Sequence, residues 1–370
     1  MAAAPHPSGL PGSVLLAGGG TAGHVSPLLA LAEHLREQRP DIRIRVLGTA
    51  EGLESRLVPE RGLELVVVPK VPMPRRPSVV AARFPQLLAV AVNVATRAIR
   101  ENDADVVVGF GGYVATPAYL AARRTRTPIV VHEQNARAGI ANRLGARLTR
   151  HVGVTFASTD LRGGTRVGMP LRREIADLDR PARRPEAIEH FGLEPDRPTL
   201  LVTGGSLGAQ RLNEAFAGAA ADLTAAGIQV LHLTGAGKEV VPPEDTPGAA
   251  RYVVRAYTDR MDLAYAAADL VVGRAGANTV CELTAVGLPA IYVPLPIGNG
   301  EQRLNAADVV AAGGGRLVED ALVTPDWVRS AVVPLLLDRE ATTDMARRAA
   351  AMGERHGDAR LADLVRAAVR

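Results

Sequence analysis

Cysteine is nearly absent. Cys281 is the only one in 370 residues, which excludes an intramolecular disulfide and suits a reducing cytoplasm. Charge of one sign is lacking too: the net charge of +4 is too small and too dispersed to point to nucleic acid, although basic residues can cluster locally. Aromatics are scarce, at 3%, in a composition (47% hydrophobic, 22% charged) otherwise that of a soluble globular protein. No apolar run is long enough for a membrane span. The longest, "LLAVAVNVA" near residue 90, is broken by Asn93 and falls far short of the roughly 20 residues required. The opening "MAAAPHPSGLPGS" has neither a basic region nor an apolar core, so a floppy leader is expected there rather than a secretory signal. The chain is expected to lie on a membrane at most, not to cross one.

What the sequence does contain is repetition of one design. At 370 residues it exceeds one ordinary core, so two domains are expected. Apolar runs such as "SVLLAGG", "RIRVLG", "DVVVGFGG" and "PIVVHEQ" alternate with helix-period segments. Val- and Ile-rich runs without polar alternation suit parallel strands covered on both faces, and the recurring strand–helix–strand order reads as a doubly wound α/β fold. One such helix, "SPLLALAEHLREQ", is expected to start at Ser26-Pro27, a good N-cap followed by proline. Residues 166–198, rich in Arg and Pro, are expected to connect an N-terminal domain (13–165) to a C-terminal one (199–340). The last helices (341–370) are able to pack back on the first domain. Two Rossmann-like domains facing across a cleft follow, with ligands at the carboxyl ends of both sheets.

Each half opens on a strand feeding a glycine-rich turn. In "VLLAGGGTAGHVSP" the spacing Gly18-x-Gly20-x-x-Gly23 resembles a dinucleotide fingerprint, but the following strand, "RIRVLGTAEG", ends in Gly48 and Thr49 and lacks the acidic residue that would hold a cofactor ribose. A nicotinamide cofactor is therefore not expected. The turn instead offers backbone N–H groups to an anion or polar substrate. His24 stands at its mouth, where it reads either as a general base or as a capping or packing histidine. The second half repeats the arrangement in "VTGGSLGAQRLNE", with the Ser206 hydroxyl added. In "GRAGANTVCELTAVG", Gly276 to Thr279 open a helix and Glu282 falls in its first turns. A carboxylate there can accept both hydrogen bonds of a ribose cis-diol, or can simply complement the helix dipole. "GNGEQRLNAADVV" gathers Glu301, Gln302 and Asn305 at another helix start, suited to sugar hydroxyls or to ordinary capping.

Taken together, "GGGTAGHVSP", "GFGGYVATPAYLAA", "HEQNARAGIANR", "GMPLR", "TGGSLGAQRLN", "MDLAYAAADLVVGRAGANTVCEL" and "GNGEQRLNA" resemble the MurG family from about Ser13 into the last helices. These bacterial enzymes add N-acetylglucosamine to the undecaprenyl-linked muramyl-pentapeptide precursor of the cell wall. The resemblance implies the two-domain GT-B fold and inverting transfer from UDP-N-acetylglucosamine. It places donor contacts on Thr21, Ala22, Gly23, Asn135, Arg172, Ser206, Thr258, Glu282 and Gln302. It favours His24 over Glu133 of "VHEQN" as catalytic base. Ala22 replaces a glycine common in the family, Glu301 a glutamine found in some members, and Thr258 an isoleucine, where a backbone contact to uracil would survive.

No cofactor is expected, UDP-N-acetylglucosamine being a co-substrate. Leaving-group charge can be met by helix N-termini, Ser206 and Arg172 without a metal. Of two D-x-D strings, Asp103-Ala104-Asp105 precedes a strand, at the edge away from the ligands, and Asp177-Leu178-Asp179 sits in the connection. The expected partners are the donor, the undecaprenyl-linked lipid and an anionic membrane surface, at the cytoplasmic face. Nucleic acid is not among them. For the membrane, Arg75, Arg76, Val79, Val80, Arg83 and Phe84, with Lys70, Leu87 and Leu88 nearby, form the candidate patch; its apolar residues could equally pack the helix onto the sheet. An epimerase acting on the same nucleotide sugar, or a non-enzymatic nucleotide-sugar binder, are the rival readings.

Overall fold

The computed structural model describes residues 9–71, 79–205, 208–242, 247–297 and 299–370. They form two compact units, Met1–Arg172 with Arg355–Arg370, and Arg173–Glu354.

The first unit runs β1 (Ser13–Ala17), α1 (Ala22–Gln38), β2 (Arg43–Gly48), α2 (Glu54–Glu60), β3 (Glu64–Val67), α3 (Val79–Glu101), β4 (Val106–Gly109), α4 (Gly112–Thr125), β5 (Ile129–Glu133), α5 (Ile140–Gly145), β6 (His151–Val154) and β7 (Gly164–Arg166). The strands make one parallel sheet in the order β3-β2-β1-β4-β5-β6-β7. β1 shows why its sequence lacks polar alternation. Val14 and Leu16 pack on one face against Leu28 and Leu31, while Leu15 and Ala17 pack on the other against Ala95, Ile99 and Val114. Both faces are covered, and each such aliphatic side chain contributes about 1.5–3 kcal/mol on burial.

The second unit follows with α6 (Arg173–Ala176), α7 (Arg180–Phe191), β8 (Thr199–Thr203), α8 (Gln210–Gly218), α9 (Ala220–Ala225), β9 (Gln229–Leu233), β10 (Tyr252–Arg255), α10 (Met261–Ala267), β11 (Leu270–Gly273), α11 (Ala277–Ala285), β12 (Ala290–Tyr292), α12 (Glu301–Ala311), β13 (Gly315–Leu317), α13 (Pro325–Trp327), α14 (Val333–Leu337) and α15 (Arg339–Met352). Its sheet, β10-β9-β8-β11-β12-β13, is also parallel. In both sheets the strand order reverses beside the opening strand, at β1/β4 and at β8/β11, the switch points where ligands bind in open α/β sheets.

Three details differ from expectation. α1 begins at Ala22, not Ser26, because Gly20 ends the turn and Thr21 already serves as N-cap, its carbonyl accepting from Val25. Pro27 therefore sits within the helix, at the cost of one early backbone bond. The 166–198 stretch is not a bare connection: Arg166 ends β7, α7 packs on α10, and the units part between Arg172 and Arg173. The last helices also separate. α15 stays on α11 and α14, while α16 (Gly357–Ala368) packs on α1 and β6, putting Leu361 and Val365 into the first unit's core.

Candidate functional site

In the first unit, two loops at the carboxyl edge of neighbouring strands converge on His24. The β1–α1 turn puts it in the first turn of α1, where the Thr21 hydroxyl lies 3.1 Å from its Nδ1 and the Gly19 backbone also bonds the ring. The β4–α4 turn brings up Gly111 and Gly112, at φ +90° and +74°. A Cβ on Gly111 would stand 3.3 Å from His24 Nε2, and one on Gly112 2.8 Å from the Gly19 carbonyl oxygen. Only glycine fits both the backbone angle and the space. Burial lowers the His24 pKa below 6.5, against the Gly19 bond and the Glu54 charge, which raise it. The imidazole is thus neutral near pH 7 and able to accept a proton.

Glu133, at the end of β5, is occupied differently. It is 2% exposed and accepts from the Asn135 N–H (3.0 Å), the Gly139 N–H (2.9 Å) and Asn142 Nδ2 (3.0 Å). Burial raises its pKa while these bonds pull the other way. Its carboxylate shapes the 134–139 loop, and the Tyr119 hydroxyl holds Asn142 in turn (2.8 Å). His132, the other titratable group of "HEQN", bonds the Gly168 carbonyl and is pushed by burial down to about 4, which keeps it neutral and structural. Asn135 is half-buried on this loop, and Arg172 half-buried at the unit's end.

Sequence reasoning missed Glu54. Its buried carboxylate accepts from the Thr49 N–H and hydroxyl and from the Gly20 N–H, each at 2.8 Å. The expectation of an open anion turn is thereby corrected at Gly20, whose donor is already taken by a carboxylate. Gly48 and Gly52 make room for it, since a Cβ there would collide with this side chain at 2.5 and 2.0 Å.

In the second unit the carboxyl edge carries Glu282 on the second turn of α11, with the Tyr265 hydroxyl donating to its Oε2 at 2.7 Å. Gln302, near the start of α12, accepts the Leu295 N–H through Oε1 (2.9 Å), and Asn305 donates to the Ala275 carbonyl (3.3 Å). Thr258 is buried before α10, its hydroxyl accepting from the Arg260 N–H (3.0 Å). Arg274, also unforeseen, donates to the Val293 and Pro294 carbonyls and pairs with Asp320 at 2.7 Å, fixing the loop between β12 and α12. Ser206 lies outside the described residues.

Asp105 accepts from the Gly12 and Ser13 N–H groups, at the amino edge of the sheet. Asp177 pairs with Arg173, and Asp179 caps α7. Arg75 and Arg76 lie outside the described residues, and only the backbone of Val79 and Val80 is described. Arg83 is exposed and Phe84 half-buried on α3, whose inward face is Ala91, Ala95, Ala98 and Ile99. Lys70 is paired with Glu51 at 3.5 Å. Among the described residues no helix is long and apolar enough to cross a membrane.

The model of the glycosyltransferase family 28 N-terminal domain matches residues 14–154, and that of its C-terminal domain residues 199–361. A Clavibacter sepedonicus protein named UDP-N-acetylglucosamine--N-acetylmuramyl-(pentapeptide) pyrophosphoryl-undecaprenol N-acetylglucosamine transferase is 59% identical over 358 residues, 96% of each chain. The crystal structure of Acinetobacter baumannii MurG superposes with a TM-score of 0.77 at 30% identity, covering 96% of this chain and 99% of that one. A putative UDP-N-acetylglucosamine 2-epimerase from Listeria monocytogenes (TM-score 0.64, 12% identity, 95% and 93% covered) shares the fold alone. The chain belongs to the MurG family, within glycosyltransferase family 28.

Proposed function

We propose that the protein transfers N-acetylglucosamine from UDP-N-acetylglucosamine to the C4 hydroxyl of undecaprenyl-pyrophosphoryl-MurNAc-pentapeptide, with inversion. The observation that carries this reading is the likeness, over 96% of the chain, to a relative named for that transfer. Inversion is one displacement at the anomeric carbon: the acceptor oxygen bonds to it, its proton passes to His24, and the bond to UDP breaks with the electron pair leaving on the diphosphate. The neutral imidazole at the mouth of α1 supports His24 as that base. Glu133, committed to three donors, serves as the support of the adjoining loop. Glu282, oriented by the Tyr265 hydroxyl, accepts from the ribose diol. Thr21, Ala22, Gly23, Asn135, Arg172, Ser206, Thr258 and Gln302 make the remaining donor contacts.

Incubation with labelled nucleotide sugar and lipid acceptor tests the reading. Product should require both substrates; an epimerase would turn over the nucleotide alone, and a binder would yield nothing. No metal enters this mechanism, because helix N-termini, Ser206 and Arg172 meet the leaving-group charge. Of the D-x-D carboxylates, Asp105 is engaged at the amino edge of its sheet, Asp177 pairs with Arg173 and Asp179 caps α7. After metal stripping, activity should persist in excess chelator. Complete loss, restored by magnesium or manganese, would overturn this electrostatic account.

We further propose peripheral binding at the cytoplasmic face of the membrane through the start of α3 and the residues before it. Basic side chains near an anionic leaflet contribute about 1 kcal/mol each. Exposed Arg83 supports the placement; Lys70, paired with Glu51, adds less than its charge suggests. Replacing Arg75, Arg76 and Arg83 with glutamate should reduce binding to anionic liposomes and activity on the full-length lipid acceptor, and spare a short-chain acceptor. Unchanged liposome binding would place the patch elsewhere.

A further inference from the structure

Glu54 opens α2. It is fully buried, at 0% exposure, and among the described residues no Lys or Arg forms an ion pair with it. Three neutral donors hold it: the N–H and hydroxyl of Thr49 at the end of β2, and the N–H of Gly20 at the end of β1's turn. A buried charge without a cation is costly, and such an arrangement persists where hydrogen bonds replace water. Burial alone would raise the carboxyl's pKa, but the bonds from Thr49 and Gly20 outweigh it and hold the group below its ordinary range. The carboxylate is ionised throughout the working range of the enzyme.

Its position relative to His24 is set by Gly19. A Cβ on Gly19 would lie 2.3 Å from Glu54 Oε1, so the carboxylate is packed directly on that residue. The backbone of the same residue also bonds the imidazole. We propose that Glu54 is a positioning residue, whose buried carboxylate locks the turn that carries His24 and presents a negative charge to the imidazole across the Gly19 peptide. The proposal rests on the reading of His24 as the base. The other titratable groups near the ring are committed elsewhere: Glu133 on β5 to Asn135, Gly139 and Asn142, and Tyr119 on α4 to Asn142. On the rim, Lys70 and Glu51 neutralise one another. Glu54 is the charge that acts on His24, opposing the effect of burial and keeping the base from becoming too weak.

The sign of the effect follows. The base works when neutral, so the acid limb of kcat/KM reports its pKa in the free enzyme. Glu54→Gln keeps the shape but removes the charge, which lowers the His24 pKa and moves the acid limb to lower pH. A shift of about half a pH unit or more is expected on removing the charge that acts on the ring, at an effective dielectric near 20. The plateau of kcat should fall by roughly tenfold, from weaker basicity and a loosened turn. Binding of UDP, measured by calorimetry, should weaken far less than kcat falls, and a thermal melt verifies folding. Glu54→Asp keeps the charge and shortens the reach; it should lower kcat while leaving the limb in place. A limb unmoved in Glu54→Gln, or moved equally in Glu54→Asp, would reduce Glu54 to a structural brace and overturn the proposal. His24→Gln separates the two readings, since it should abolish the limb. Should the limb survive in His24→Gln, the base assignment itself fails and takes the proposal with it; should it vanish there but stay fixed in Glu54→Gln, only the role of Glu54 is lost.

Discussion

His24→Ala should lower kcat by about a hundredfold or more, the loss that removal of a general base produces, with UDP affinity little changed. The expectation starts from a local fact of the chain. Gly20 reverses the backbone at φ +90°, so α1 starts at once and carries His24 in its first turn, where the Thr21 hydroxyl fixes the ring at 3.1 Å. Partial enclosure holds the pKa below 6.5, so the working neutral form predominates at physiological pH. The acid limb of kcat/KM should accordingly fall below pH 6.5 and disappear in the mutant. Glu133 is the rival, and its geometry argues against it. A proton taken up on Oε1 would compete with the Asn135 N–H, and one on Oε2 with the Gly139 N–H and Asn142, leaving a buried donor unpaired at about 1–3 kcal/mol. Replacing Glu133 should therefore reduce thermal stability together with activity. If His24→Ala retained wild-type turnover while Glu133→Gln abolished it in a fully folded protein, the assignment would reverse.

The sheets were the most legible part of the chain. Every apolar run read as a strand is one, because a parallel strand covered on both faces needs uninterrupted aliphatics, as in Val14–Ala17 between two helical layers. The short edge strand β7, "GTR", escaped notice, since its residues are exposed and carry no pattern. The start of α1 was misread for a different reason. Ser26-Pro27 is a good local start signal, yet the glycine turn four residues earlier had already satisfied the conditions for a helix. The places of Glu282 and Gln302 in the first turns of their helices were legible. Glu54 was not, because its meaning arises from β1 and β2 being neighbours, which brings Gly20 and Thr49 to one carboxylate across 34 and 5 positions of sequence. Tyr265 and Arg274 were hidden in the same way: each gains its role only through a long-range partner.

Glu282→Ala should chiefly weaken donor binding. The side chain is 8% exposed, and the Tyr265 hydroxyl fixes one carboxylate oxygen at 2.7 Å, so the group is oriented before any ligand arrives. A hydrogen bond to a charged acceptor contributes about 1.5–3 kcal/mol, and its loss leaves a ribose hydroxyl without its charged partner. Each 1.4 kcal/mol is tenfold, so the Kd for UDP-N-acetylglucosamine and for UDP should rise by roughly ten- to a hundredfold. Because the diol is distant from the anomeric carbon, its bonds form equally in ground and transition states. Uniform binding of that kind appears in KM and not in kcat, the opposite signature to His24→Ala. Tyr265→Phe should give a smaller effect of the same type, through loss of pre-orientation alone. Calorimetric titration with UDP on the three proteins checks the order: wild type tightest, Tyr265→Phe intermediate, Glu282→Ala weakest. An unchanged Kd in Glu282→Ala, with kcat lost instead, would move Glu282 from donor recognition to the chemical step.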